Sequence, residues 1–132
     1  LAELEASWTA VSAGDTLLHK DLRPDNMVRR MDGAVLAVDW AWACRGAAWI
    51  DLVALAPTIA AAGVDPDPII ATHPVTRDVD PAAVDAFVCA LAGYWAAACR
   101  KPELPRSPRL RDHQSVFARI ASQWLACRLE WQ

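Results

Sequence analysis

Asp32-Gly33 separates two short strand-like runs, Met27–Arg30 and Val35–Val38. A tight Asp-Gly turn needs positive φ at its centre, which glycine adopts freely, and its twist suits two antiparallel strands. A hairpin is therefore expected at this point, and most of the remaining chain carries helical periodicity. Leu1, Leu4, Trp8 and Val11 predict a first helix, which Gly14 stops. Thr16–Leu18 is a short apolar run leading into His19. Ala47–Ala62 is apolar almost all round, the pattern of a buried helix, and Gly63 ends it. Asp67-Pro68 and Asp80-Pro81 each place an acidic cap before a proline, a common helix start. The second of these helices should run to about Cys99 with Val84, Phe87, Val88, Leu91, Trp95 and Ala98 on one stripe. Lys101–Pro108 holds three prolines and reads as a loop. A last helix is expected from about Leu110 to Trp131, with Leu110, His113, Phe117, Ile120, Ala121, Trp124 and Leu125 as its stripe. The expected fold is one domain over residues 1–132, mainly α with a small antiparallel β-hairpin.

Composition narrows the function classes. With 55% hydrophobic and 22% charged residues the chain can bury a core, which excludes intrinsic disorder. A net charge of −3 lacks the basic face that nucleic-acid binding needs. Uncharged stretches such as Ala82–Val84 and Ala86–Arg100 are cut by Asp, Arg or Pro short of the roughly 20 residues of a membrane span, so no membrane partner is expected. Cys44, Cys89, Cys99 and Cys127 form no CxxC pair and read as buried free thiols, consistent with a reducing cytoplasm. The chain begins at Leu1 in a helical pattern, so it is expected to be part of a longer protein.

The chemistry concentrates in Leu18-His19-Lys20-Asp21-Leu22-Arg23-Pro24-Asp25-Asn26, followed by the hairpin and Val38-Asp39-Trp40. The first part resembles the H-x-D-L-x-x-x-N pattern of a kinase catalytic loop. Transfer of a γ-phosphoryl group needs an acceptor hydroxyl held in line, a base near it and a metal to offset phosphate charge. Asp21 is the candidate base. Asn26 offers a neutral oxygen and Asp39 a charged one, both hard ligands suited to Mg²⁺. His19 would brace the loop through its ring nitrogens.

From His19 to about Pro57 the chain resembles the C-terminal lobe of the aminoglycoside phosphotransferase and choline kinase family, which has a protein-kinase-like fold. The likeness rests on His19, Asp21, Leu22, Asn26, Asp39, Trp40 and Asp51-Leu52. It implies Asp21 as catalytic base, Asn26 and Asp39 as magnesium and nucleotide ligands, and Asp51 as a brace hydrogen-bonded to the catalytic loop. It also implies ATP or GTP as donor and a small hydroxylated molecule as acceptor: an aminoglycoside, a macrolide, a choline-like alcohol or a sugar. Lys20 stands where many members have glycine. A protein kinase is the near competitor, with Arg23 in place of a lysine that contacts the γ-phosphate. Asp39 and Asp51 are only 12 residues apart, however, which leaves no room for a peptide-displaying activation segment.

Other residues carry simpler expectations. Asp25 reads as a turn former after Pro24. Trp40, Trp42 and Trp49 are candidates for an acceptor pocket, with core packing the equal alternative for Trp49 and also open for Trp40. Asp65 and Asp78 are weak candidates for holding a cationic acceptor, while Asp67 and Asp80 read as caps. His73 sits on a loop, His113 on a helix stripe, and Arg100, Lys101, Arg106, Arg109 and Arg111 form a solvated basic face. No strand lysine or phosphate-covering loop is recognisable. The chain is therefore expected to need a nucleotide-binding N-terminal lobe as partner, to be inactive alone, and to self-associate through the face that lobe would cover. The alternative is a kinase-like module that binds a ligand or partner without catalysis.

Overall fold

The computed structural model describes residues 1–131. In chain order these form α1 (Ala2–Ala6), α2 (Trp8–Val11), β1 (Thr16–Leu18), β2 (Met27–Arg29), β3 (Val35–Ala37), β4 (Cys44–Gly46), α3 (Ile50–Ala61), α4 (Asp67–Thr72), α5 (Pro81–Ala98) and α6 (Leu110–Arg128). A single 3₁₀ turn over Pro24–Asn26 precedes β2. The fold is mainly helical with two small antiparallel sheets, β1–β4 and β2–β3.

The β2–β3 hairpin forms where Asp32-Gly33 places it. Gly33 has φ 87°, and Met27, Val28 and Arg29 pair with Ala37, Leu36 and Val35. The β1–β4 pair was not anticipated. Cys44-Arg45-Gly46 shows no alternation, and its partner is Thr16–Leu18, more than 25 residues earlier. Close packing favours glycine at both ends of this pair, against backbone at Gly14 and against the Leu18 side chain at Gly46. A Cβ on Gly46 would lie 2.6 Å from Leu18 Cδ1, and one on Gly14 would lie 2.6 Å from the Gly46 carbonyl oxygen. Gly14 thus serves chain approach as well as ending the first helical run. That run is also interrupted at Ser7, whose hydroxyl donates to the Leu4 carbonyl at 2.8 Å. The β1–β4 clasp brackets the whole segment from His19 to Ala43.

The core lies where α3, α5 and α6 meet. Ile50 and Val53 of α3, Val84, Phe87 and Val88 of α5, and Trp124 and Leu125 of α6 are all buried, with Leu18 at the end of β1. Trp49 joins this core edge-on to Phe87, ring centroids 5.6 Å apart. Helix α3 begins at Ile50, later than the apolar run starts, because Ala47–Trp49 turn out of β4 first. By length and composition α5 could cross a bilayer, with a mean hydropathy of 1.3. In the fold it packs against α6, and Val84–Cys89 are buried between neighbouring helices.

Three local expectations are corrected. Asp80 caps α5 by accepting from the Ala82 amide at 2.9 Å, but Asp67 is not a cap. Pro66 takes that place, and the Asp67 carboxylate accepts from Trp124 Nε1 and from Arg128. Arg128 also donates to Asp85, so one guanidinium ties α4, α5 and α6 together. Burial alone would lower its pKa; the hydrogen bonds it donates to both carboxylates more than offset this and hold it above its ordinary value. The thiols are not all buried. Cys89 is, and burial beside Glu5 pushes it up; Cys99 is half-buried, while Cys44 on a small sheet and Cys127 on the outer side of α6 are exposed. On α6, Gln114 and Ala118 are buried whereas Leu110, His113, Phe117 and Ile120 are half-buried, so the inward face is rotated from the expected stripe.

Candidate catalytic loop and metal site

The loop between β1 and the 3₁₀ turn is held from three sides. From α3, the Asp51 carboxylate accepts the His19 amide at 2.6 Å through Oδ2 and the Lys20 amide at 2.9 Å through Oδ1. Both oxygens of this half-buried side chain are thereby engaged with the loop, in the position the family resemblance implies for a brace. The arrangement also accounts for Lys20, whose φ of 66° is in the left-handed region that favours glycine. A lysine there is held by its own amide bond to Asp51 and by its ammonium, 5.6 Å from the centre of the Phe87 ring.

From within the loop, His19 supplies the second tie. It is 1% exposed. Its Nδ1 accepts the Asp21 amide at 3.3 Å, and this assigns the proton to Nε2, which donates to the Val38 carbonyl at 2.8 Å. One ring therefore spans the loop and the end of the hairpin. Trp40 packs on it at 4.7 Å and donates its indole N–H to the Ala37 carbonyl, so this side chain supports the loop. Trp42 is 72% exposed.

The third tie is Asn26. Its amide nitrogen donates to the Asp21 carbonyl at 2.8 Å and to Asp21 Oδ2 at 3.1 Å. Both contacts use Nδ2, which leaves Oδ1 as a free acceptor beside the Asp21 carboxylate. The Val38 amide donates to the Asn26 carbonyl at 2.9 Å. Val38 thus joins both His19 and Asn26, and the next residue, Asp39, leaves the strand with φ 62°. His19, Asp21, Arg23, Asn26 and Asp51 are brought together in one hydrogen-bonded unit, with Asp39 at its edge.

Arg23 lies among carboxylates. It forks onto Asp25 through Nε and Nη2, and its Nη1 is 3.8 Å from Asp21 Oδ1. Burial lowers its pKa, but the Asp25 hydrogen bonds and the charges of Asp21, Asp25 and Asp39 outweigh this and raise it. Asp25 is therefore more than a turn former, and the Arg23 hydrogen bonds hold its carboxyl below the usual range. A further neighbour comes from the helix stripe of α6. His113 of α6 is close enough for Arg23, Asp25 and Asp21 to act on its charge, and burial followed by Arg23 lowers its pKa.

The remaining candidates are elsewhere. Asp65 accepts the Asp67 amide at 3.0 Å, and Asp78 pairs with Arg77. Asp65 and Asp67 line a groove of about 510 Å³ with Val64, Ile120, Trp124 and Cys127, and no residue of the His19–Asn26 loop borders it. Among the described residues no three His, Cys, Asp or Glu side chains gather as a metal cluster. A Mg²⁺ site does not need one. Mg²⁺ retains waters and commonly takes one or two protein oxygens together with substrate phosphates, a set that the Asn26 and Asp39 oxygens suit. Comparison with protein-family models, curated proteins and solved structures gives no match for this chain.

Proposed function

We propose that this chain is the catalytic-loop half of a small-molecule kinase with a protein-kinase-like fold, which moves the γ-phosphoryl group of ATP or GTP to a hydroxyl. The observation that carries this reading is the Asn26 side chain. Its nitrogen is spent on Asp21 while its oxygen stays free, and the same residue is tied through Val38 to the strand that delivers Asp39. That grouping supports a base, Asp21, with two hard oxygen donors, Asn26 and Asp39, near it. Phosphoryl transfer needs this combination, because its barrier is lowered by positioning and by charge stabilisation.

In this reading Asp21 accepts the acceptor hydroxyl proton as the acceptor oxygen bonds to the γ-phosphorus. The bond from that phosphorus to the bridging oxygen of the nucleoside diphosphate breaks at the same time. His19 and Asp51 keep the loop backbone in register, and Arg23 is the cation beside the base. Mg²⁺ held by Asn26 and Asp39 would offset phosphate charge. A strand lysine and a phosphate-covering loop come from a separate nucleotide lobe. The exposed apolar residues Leu17, Val28, Val35, Leu36 and Trp40, which lie on or beside the two small sheets, support a covered face there.

The test is calorimetric titration of the full-length protein with Mg²⁺–nucleotide. Asn26→Ala and Asp39→Ala should each weaken binding in a Mg²⁺-dependent way, Asp39→Ala more because it removes a charge. Unchanged affinity in both variants contradicts the metal assignment.

A further inference from the structure

Arg23 has one guanidinium and two carboxylates competing for it. The fork to Asp25 is bidentate, Nε to Oδ1 at 3.1 Å and Nη2 to Oδ2 at 2.8 Å, and it occupies one whole edge of the group. Only Nη1 approaches the proposed base, at 3.8 Å from Asp21 Oδ1. That is beyond hydrogen-bond distance. The geometry of the intervening chain fixes this choice. Arg23 is extended, with φ −137° and ψ 160°, and its carbonyl accepts the Asn26 amide at 2.9 Å. The Pro24–Asn26 turn therefore folds Asp25 back beside Arg23.

As a stabilising ion pair this contact is poor. The Asp25 side chain is 66% exposed and that of Arg23 37%, a setting in which such pairs contribute little. Its consequence is directional. With its Nε–Nη2 edge held by Asp25, Arg23 presents Nη1 toward Asp21 and stops short of a hydrogen bond to it.

We infer that Asp25 is a positioning residue for phosphoryl transfer: it parks Arg23 so that the guanidinium faces the transferring phosphate and leaves the Asp21 carboxylate free to take a proton. This rests on the phosphotransfer reading above. It assigns Asp25 no contact with nucleotide or acceptor. Removing its carboxylate lets Arg23 close onto Asp21, which blocks the base and withdraws a cation from the phosphate at once.

The experiment uses the full-length protein and Mg²⁺–ATP or Mg²⁺–GTP, with water as acceptor and phosphate release as the signal. Asp25→Ala should lower kcat about 10-fold or more, the scale of a misplaced catalytic group, with the nucleotide KM within about threefold and the melting temperature unchanged. Asp25→Glu should recover part of the loss. The Arg23→Ala, Asp25→Ala double variant should be no slower than Arg23→Ala alone, because the two act as one unit. The Arg23 Nε–H resonance should change in Asp25→Ala, as its partner is lost. Wild-type kcat in Asp25→Ala, or additive losses in the double variant, overturns the inference and leaves the kinase reading standing. A wild-type protein that neither binds nor hydrolyses Mg²⁺–nucleotide overturns both.

Discussion

Asp21→Asn in the full-length protein should reduce phosphotransfer by about 10²–10⁴-fold, the usual contribution of a positioned general base. The substitution is nearly isosteric, so the Asn26 contact to the Asp21 carbonyl at 2.8 Å and the Asp21 amide bond to His19 at 3.3 Å are retained. The loop should therefore keep its shape, and the affinity for Mg²⁺–nucleotide should stay close to that of the unaltered protein. Steady-state turnover beside calorimetric binding separates the two effects. Near-normal turnover removes Asp21 from the role of base. A parallel loss of nucleotide affinity makes it a structural residue instead.

Asp51→Ala should have the largest effect on stability among the residues that hold the loop. It strips the acceptor from the His19 amide, on a residue that is 1% exposed, and from the Lys20 amide next to it. A buried donor left unpaired costs about 1–3 kcal/mol. Lys20 adds to this, because its φ of 66° persists only while the surroundings impose it. Chemical denaturation followed by tryptophan fluorescence should show the loss, since Trp40 rests on His19 and reports on the loop. Asp51→Asn keeps one acceptor oxygen and should recover part of it. Equal stability of Asp51→Ala and the unaltered protein contradicts the brace.

The parts of this molecule that were legible in the sequence are those set by neighbours in the chain. Asp32-Gly33 specifies its hairpin through the φ that Gly33 must adopt. The apolar runs of α3 and α5 appear as helices within a few residues of their expected ends. The His19-to-Asn26 spacing holds its residue types together because the loop is short, and its ties to Val38 follow from the hairpin return.

What escaped was decided by distant partners or by competition. β4 is a strand only because β1 reaches it, and nothing in Cys44-Arg45-Gly46 signals that. Asp67 stands where a cap would, but Arg128 arrives from 61 residues away and takes its carboxylate. Asp25 was masked by its turn propensity in Pro24-Asp25-Asn26, although the i, i+2 spacing to Arg23 could have suggested an ion pair. His113 lies near the loop through the packing of α6, which no local pattern reveals.

The central claim is that one face of this loop holds a metal-bound nucleotide between Asn26 and Asp39, beside Asp21. Paramagnetic relaxation measures it directly. Mn²⁺–ADP added to ¹⁵N-labelled full-length protein in place of the Mg²⁺ complex should broaden the amide resonances of Asp21, Asn26 and Asp39 first. The residues around Asp65 and Trp124, in the groove that no residue of the His19–Asn26 loop borders, should stay sharp. Broadening centred on that groove, or none at Asn26 and Asp39 when the nucleotide is saturating, would contradict the account.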